Sequence, residues 1–81
     1  MPRPTGRAML TPEQCRAGRA LLKWSQRELA TAAQVSHITV RDFENGRTKS
    51  QRSTLTMLKQ AMEAEGVEFT NGDTPGVRLH K

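Results

Sequence analysis

Residues 24–47 read WSQRELATAAQVSHITVRDFENGR and hold two short segments that each begin with a helix-capping serine. Ser25 is followed three residues later by Glu28, which is the spacing of a capping box, and Ser36 precedes a second segment with apolar periodicity. The Asn-Gly pair at 45–46 tolerates the left-handed conformation in which many helices end. This stretch therefore predicts two short helices joined by a tight turn.

Small and apolar residues give each of these two helices an inner face. Two helices that cross steeply need a tiny side chain where their backbones approach, and apolar residues on the facing sides. Ala30 meets the first requirement, while the second is met by Leu29, Val40 and Phe43. The side chains between these positions are expected to point outward.

A first helix is predicted to begin at Thr11, ahead of this pair. The segment 11–14 combines an N-cap hydroxyl, a proline and an acid in the first turn, and a capping-box glutamine. Cys15, Gly18 and Leu22 then recur at helical spacing as its inner face. We expect Cys15 to be a small buried hydrophobe rather than a redox sensor.

Ser53 is predicted to begin a fourth helix, which ends before Gly66. Its expected core stripe consists of Leu55, Met57, Leu58, Ala61 and Met62. Residues 67–70 and 77–79 then alternate around a cluster of turn formers, which predicts a short β-hairpin. Because an isolated hairpin is marginal in water, it must lie on the helical core or add to a partner chain.

The chain of 81 residues is expected to form one domain, since its length leaves too little buried surface for a second core. Residues 1–10 carry prolines and arginines and predict a flexible basic arm. Residues 11–66 form the predicted helical domain, and residues 67–81 form a C-terminal extension. The expected fold class is all-α, with four to five helices and a short C-terminal hairpin or strand.

The charge balance favours attraction to polyanions, with a net charge of +5 and a pI of about 10.4. Basic residues concentrate between residues 16 and 52, whereas acidic residues slightly outnumber them from residue 53 onward. No apolar run has the ~18 to 20 residues of a membrane span, and no export signal follows the initial MPRP. We therefore expect a cytoplasmic protein that does not associate with membranes.

Catalytic and metal-binding chemistry have no candidate residues in the sequence. His37, His80 and the lone Cys15 share no metal-ligand spacing. The sequence also has no glycine-rich phosphate loop and no nucleophile with a suitably spaced base. We expect no enzyme activity and no cofactor.

Residues 24–30 (WSQRELA), 35–36 (VS) and 40–47 (VRDFENGR) resemble the Xre family of phage-repressor-type helix-turn-helix proteins. The Ser-Gln-x-x-Leu-Ala start and the Glu-Asn-Gly-Arg end that recur in that family are both present at matching separation. The resemblance covers roughly residues 12 to 65 and implies a lambda-repressor-like domain. Gln34 departs from the pattern, because many members have glycine at this turn; a left-handed glutamine costs on the order of 1 kcal/mol.

The resemblance implies a sequence-specific regulator of transcription that binds double-stranded DNA with its third helix in the major groove. The base contacts implied are His37, Ile38, Thr39 and Arg41. The backbone contacts, which fix register without reading sequence, are Gln26, Arg27, Ser36, Asn45, Arg47, Lys49 and Arg52. Asp42 is expected to orient Arg41 or Arg47.

The leading hypothesis is a repressor or autoregulator that binds near-palindromic operators as a homodimer. The expected dimer contacts lie in the extension, where strands would pair edge to edge, and are Val67, Phe69, Val77 and Leu79. The alternative is an antitoxin or antiactivator that uses the same fold to bind a protein partner. That alternative predicts an apolar exposed third helix and a loop without cations. Arg47, Lys49 and Arg52 argue against it, but they are compatible with a protein that has both roles.

Overall fold

The architecture comes from a computed structural model, which describes residues 10–47, 51–71 and 75–80. Within these residues, four helices precede a two-stranded antiparallel hairpin: α1 (Pro12–Leu22), α2 (Gln26–Ala33), α3 (His37–Glu44), α4 (Arg52–Glu63), β1 (Val67–Asn71) and β2 (Pro75–Leu79). This arrangement confirms the predicted fold class. Of the expected features, Lys49 and residues 1–9 of the arm lie outside the described residues.

The first three helices begin where the sequence places a capping side chain. Thr11 Oγ1 accepts from the backbone N–H of Gln14 at 3.0 Å, and the Gln14 side chain accepts from the Thr11 N–H at 3.1 Å. Ser25 and Glu28 close the same kind of box at the start of α2. Ser36 caps α3. All three predicted starts are confirmed.

One hydrophobic core holds the helices together. Its buried apolar side chains are Leu10, Cys15, Leu29, Ala30, Ala33, Val40, Phe43, Leu55, Leu58, Met62 and Val67. The predicted inner faces of α2 and α3 are thereby confirmed, and so is the burial of Cys15. Leu10 was assigned to the flexible arm, yet it is only 4 % exposed, so the packed part of the chain begins before residue 11.

α4 differs from the prediction in its start and at one core position. Gln51 is the N-cap although its side chain makes no capping bond, so the helix begins at Arg52 rather than at Ser53. The buried part of the stripe is Leu55, Leu58 and Met62. Met57 was wrongly placed in the core and is 38 % exposed. It lies about 100° around the helix from its neighbour Leu58, which carries it away from the buried stripe.

Two residues other than glycine end helices in the left-handed conformation. Lys23 closes α1 and Gln34 closes α2, each with φ of 60°. After α2, the N–H of Val35 donates to the carbonyl of Ala30 at 3.0 Å, as in a Schellman ending. The turn between α2 and α3 therefore forms with a left-handed glutamine, at a cost on the order of 1 kcal/mol.

The hairpin packs on the helices of its own chain. Val67 lies opposite Leu79 and Phe69 lies opposite Val77 in the antiparallel register. Val67 is buried, and the other three side chains pack against the core. Of the two predicted alternatives, packing on the helical core or pairing with a partner chain, the structure shows the first.

Gln14 joins α1 to both strands of this hairpin. Its Nε2 donates to the carbonyl oxygens of Thr70 at 3.1 Å and Gly76 at 3.2 Å, while its Oε1 completes the capping box. Gln14 is consequently buried, with 3 % of its surface exposed. The capping role was predicted, but the contact with the hairpin was not.

We predict that Gly66→Ala destabilises the protein clearly more than Gly46→Ala. Gly66 has φ of +100° and a Cβ there would lie 2.6 Å from the backbone oxygen of His80, whereas Gly46 has φ of +71° with nothing within 4 Å. Both changes strain the backbone by about 1 kcal/mol, but only the first adds a clash with backbone. Urea unfolding of both variants measures the difference, and equal losses would contradict the close approach of β2 to Gly66.

Candidate nucleic-acid interface

The outer face of α3 carries exposed side chains of two chemical kinds. Ile38 is 53 % exposed, the largest value among the exposed large hydrophobic residues that the structure describes. Arg41 follows it by three residues and is also exposed, while His37 and Thr39 are half-buried beside it and Val40 faces the core. All four predicted base-contact residues therefore lie on one short helix, with Ile38 and Arg41 the most accessible.

Asp42 holds the guanidinium of Arg41 on this face. Nε and Nη2 of Arg41 both donate to Asp42 Oδ1 at 3.2 Å. Asp42 thus contacts one of the two arginines that it was expected to orient. The pair is partly exposed, so its own contribution to stability is small.

The amino-terminal end of α2 lies in the same helix-turn-helix unit. Ser25 accepts from the N–H of Glu28, but within residues 10–47, 51–71 and 75–80 no acceptor is recorded for the N–H groups of Gln26 and Arg27. The helix dipole adds partial positive charge at this end. Such an end suits a phosphate group.

The other predicted backbone contacts surround α3. Ser36, Asn45, Arg47 and Arg52 are exposed, as is Arg27 on α2, whereas Gln26 is half-buried. The Ser36 hydroxyl oxygen already accepts from the N–H of Thr39 at 3.2 Å, which leaves its O–H as a donor. Lys49 lies outside the residues that the structure describes.

A buried carboxylate at the end of α3 forms the densest polar network of the described residues. Glu44 is 2 % exposed. Arg19 binds it through two nitrogens, with Nε at 2.7 Å from Oε2 and Nη2 at 2.7 Å from Oε1. The thiol of Cys15 donates to Oε2 at 3.0 Å, and Nε2 of Gln26 donates to Oε1 at 3.1 Å. Arg16 also donates to the backbone oxygen of Glu44.

The titration of this network follows from its contacts. Burial alone would raise the pKa of Glu44, but hydrogen bonds from Arg19, Cys15 and Gln26 and the charge of Arg19 outweigh burial, so the pKa lies below its usual value. The hydrogen bond to Glu44 raises the pKa of Arg19. Burial raises the pKa of the Cys15 thiol, and the hydrogen bond to Glu44 raises it further. At neutral pH the carboxylate is therefore charged and the thiol keeps its proton.

A helix-turn-helix family model, HTH_3, matches residues 16–68, which run from the fifth residue of α1 to the second residue of β1. The chain belongs to the Xre-like helix-turn-helix family. This membership confirms the resemblance that the sequence motifs carried, and it makes the protein a DNA-binding regulator. No curated protein gives a significant match to the chain.

The ion pair between Arg19 and Glu44 in this Xre-like domain was not predicted from its sequence, and neither was the contact of Gln14 with the hairpin. A signal for Glu44 was present, because it lies four residues after Val40 and next to Phe43 on the inner side of α3. A carboxylate at an inward position needs a cation, and α1 carries Arg16 and Arg19. The sequence could not tell which of these arginines would reach it.

The residues expected to form a dimer have a role within the Xre-like chain itself. Val67 is part of the core, and Phe69, Val77 and Leu79 pack against it. Their side chains are thus largely engaged on the inner face of the hairpin. Contact between two copies would have to use the edge of a strand.

Two absences hold for the described residues. No helix among them is both long enough and apolar enough to cross a membrane. No group of three or more histidine, cysteine, aspartate or glutamate side chains is placed there to hold a metal ion.

We predict that Arg19→Met lowers the free energy of unfolding by about 3 to 5 kcal/mol at pH 7, because it leaves the Glu44 carboxylate buried without a partner of opposite charge. In the wild type, the depressed pKa of Glu44 contributes stability above pH 4.5 that is lost as the pH falls through the folded-state pKa. In the variant, burial without Arg19 raises the pKa of Glu44, so the carboxyl takes up a proton before the pH reaches 4.5 and the difference from wild type should be smaller at pH 4 than at pH 7.

Urea unfolding at pH 7 and pH 4 measures both quantities. Arg27→Met is the matched control, since it removes an exposed arginine from α2 and should change stability by less than about 0.5 kcal/mol. A cost for Arg19→Met that does not depend on pH would contradict the assigned ion pair.

Proposed function

We propose that this Xre-like protein is a cytoplasmic repressor or autoregulator that binds near-palindromic operators in duplex DNA as a homodimer. The observation that carries the proposal is the outer face of α3, where Ile38 and Arg41 are exposed in the same unit as the amino-terminal end of α2. Hydrophobic contact with thymine methyl groups and guanidinium hydrogen bonding to guanine are two of the chemistries with which proteins distinguish base edges in the major groove.

Base recognition follows from the side chains on this face. The major groove is about 12 Å wide and admits an α-helix. Ile38 would pack on a thymine methyl group, and Arg41 would donate to guanine in competition with Asp42. His37 and Thr39 would bond base edges or the adjacent phosphates.

Phosphate contacts would fix the register of α3 in the groove. The amino-terminal amides of α2, with Gln26 and Arg27, would bind one phosphate, and the remaining contacts would come from Ser36, Asn45, Arg47, Lys49 and Arg52. The exposed cations around α3 favour nucleic acid over the protein partner that an antitoxin or antiactivator would mask. They also imply affinity that falls steeply with salt.

We predict that Ile38→Ala weakens the preference for thymine at one position of the motif selected from random duplexes, because that position loses its methyl contact. Met57→Ala should leave the motif unchanged. Met57 is the matched control, an exposed large hydrophobic residue on α4. Arg47→Ala should weaken binding to all duplex sequences about equally and reduce the slope of log affinity against log salt concentration by about 0.9. An unchanged motif with Ile38→Ala would contradict base reading by α3, and a wild-type protein that selects no duplex would favour the protein-binding alternative.

The dimer is proposed to form through the outer edge of β2. The N–H of His80 donates to the Gly66 oxygen at 2.7 Å. Because hydrogen-bonded and non-hydrogen-bonded pairs alternate along an antiparallel ladder, the pairs of Val77 and Leu79 are non-hydrogen-bonded, and the N–H and C=O groups of these two residues point away from β1. An edge with unpaired backbone groups is a template for another strand. Pairing with a second copy by two-fold symmetry would present two α3 helices to half-sites about 34 Å apart.

We predict that Val77→Pro produces a folded monomer, because it removes one outward N–H without removing a hydrogen bond of the hairpin. Val77→Ala is the matched control, since it shortens the side chain but keeps the N–H. Sedimentation equilibrium gives the mass, and circular dichroism verifies the fold. A folded Val77→Pro dimer would contradict pairing along β2, and a monomeric wild type would contradict the dimer itself.

A further inference from the structure

Glu44 occupies a position where a carboxylate is electrostatically unfavourable. It is the last residue of α3, and the carboxyl end of a helix carries partial negative charge. It is also buried, and a buried ion pair is often no more stabilising than apolar residues of the same volume. Stability alone therefore gives a weak reason for this residue, and its contacts suggest another.

The carboxylate of Glu44 is held on both of its oxygens. Oε2 accepts from Arg19 Nε and from the Cys15 thiol, and Oε1 accepts from Arg19 Nη2 and from Gln26 Nε2. The bidentate arginine fixes the plane of the carboxylate. Gln26 thus bonds to an acceptor that has little freedom to move.

This bond determines which end of the Gln26 amide faces inward. A glutamine amide has a donor end and an acceptor end, and an ionised carboxylate can bond only the donor end. One N–H of Nε2 is used by Glu44, which leaves the second N–H and the backbone N–H of Gln26 as donors at the start of α2. A phosphate accepts hydrogen bonds only, so this orientation suits it.

The ion pair also removes an electrostatic conflict. A bare carboxylate beside Gln26 would repel a phosphate at the end of α2. Arg19 neutralises Glu44 at 2.7 Å, and a third nitrogen of Arg19, Nη1, donates to the Trp24 oxygen at 3.0 Å. The same guanidinium thus fixes the backbone that leads into α2.

We propose that Glu44 is a positioning residue that orients the Gln26 side-chain amide toward a DNA phosphate. This inference rests on the proposed function, in which the start of α2 contacts the DNA backbone. It links a buried residue at the end of α3 to the DNA affinity of a residue on α2.

The test is a double-mutant cycle in DNA affinity with the full chain and its selected duplex. Gln26→Ala should weaken binding about tenfold, the loss expected for one hydrogen bond to a charged group. Glu44→Gln should weaken binding by a similar factor, because it replaces one of the two acceptor oxygens with an NH2 donor, so the bidentate contact with Arg19 is lost and the Gln26 amide is no longer held on a fixed acceptor. In the Gln26→Ala background, Glu44→Gln should cause no further loss. For Gln26→Ala the salt slope should stay constant, because the amide carries no charge.

Affinities are compared per folded molecule, with the folded fraction measured by circular dichroism at low temperature. Leu55→Ala is the stability control, since it weakens the core from α4 and should leave the affinity of folded molecules unchanged. Losses that multiply in the double variant, as for independent sites, would overturn the proposal. Failure of the wild type to bind any duplex would instead overturn the proposed function.

A second measurement does not require any variant to fold. The two side-chain N–H protons of Gln26 are followed by NMR in the free protein and on addition of duplex. One proton should be protected from exchange in the free protein, and the other should shift when DNA is added. Two protons that exchange freely, or that do not respond to the duplex, would contradict the positioning role.

Discussion

The ion pair between Arg19 and Glu44 fixes the carboxyl end of α3 against α1, and the direction in which α3 faces depends on it. α3 has eight residues, too few for a helix that is stable on its own. Its amino-terminal end is held by the tight turn from α2. Its other end is held by Arg19 on the Glu44 carboxylate and by Arg16 on the Glu44 carbonyl. α3 is thus supported at both ends.

The burial of one side of α3 limits which of its side chains are exposed to solvent. Val40, Phe43 and Glu44 are buried, so the exposed side of so short a helix is reduced to a few positions, of which Ile38 and Arg41 are the most accessible. α1 contacts α3 through Arg19 and contacts the hairpin through Gln14, which donates to both strands. If β2 pairs two copies, the distance between their two α3 helices therefore depends on how α1 packs against the hairpin and against α3.

Local features of the fold were predictable from the sequence, because caps and turns depend on neighbours in the chain. Thr11, Ser25 and Ser36 act as the caps that their spacing indicated. The left-handed Lys23 was not foreseen, since nothing in its residue type favours that conformation. Periodicity also placed Met57 in the core, because it marks apolar residues without measuring how wide the buried stripe is.

The long-range polar contacts were the part that sequence could not supply. Arg19 and Glu44 are 25 residues apart, and Gln14 lies 56 residues from Thr70. Such pairs are set by how whole helices pack, which residue types and spacing do not specify. The candidate site shows the same division. Its proposed base-contact residues followed from the resemblance to the family, whereas the contact between Gln26 and Glu44 depends on how α2 packs against α3.

Ile38 is the only isoleucine in the chain, so a sample with isoleucine methyl labels reports on the outer face of α3 alone. The most direct measurement records contacts between this methyl group and a bound duplex by isotope-filtered NMR. Docking of α3 in the major groove predicts nuclear Overhauser contacts to thymine methyl or cytosine H5 protons. Contacts to minor-groove sugar protons, or none in a saturated complex, would contradict it.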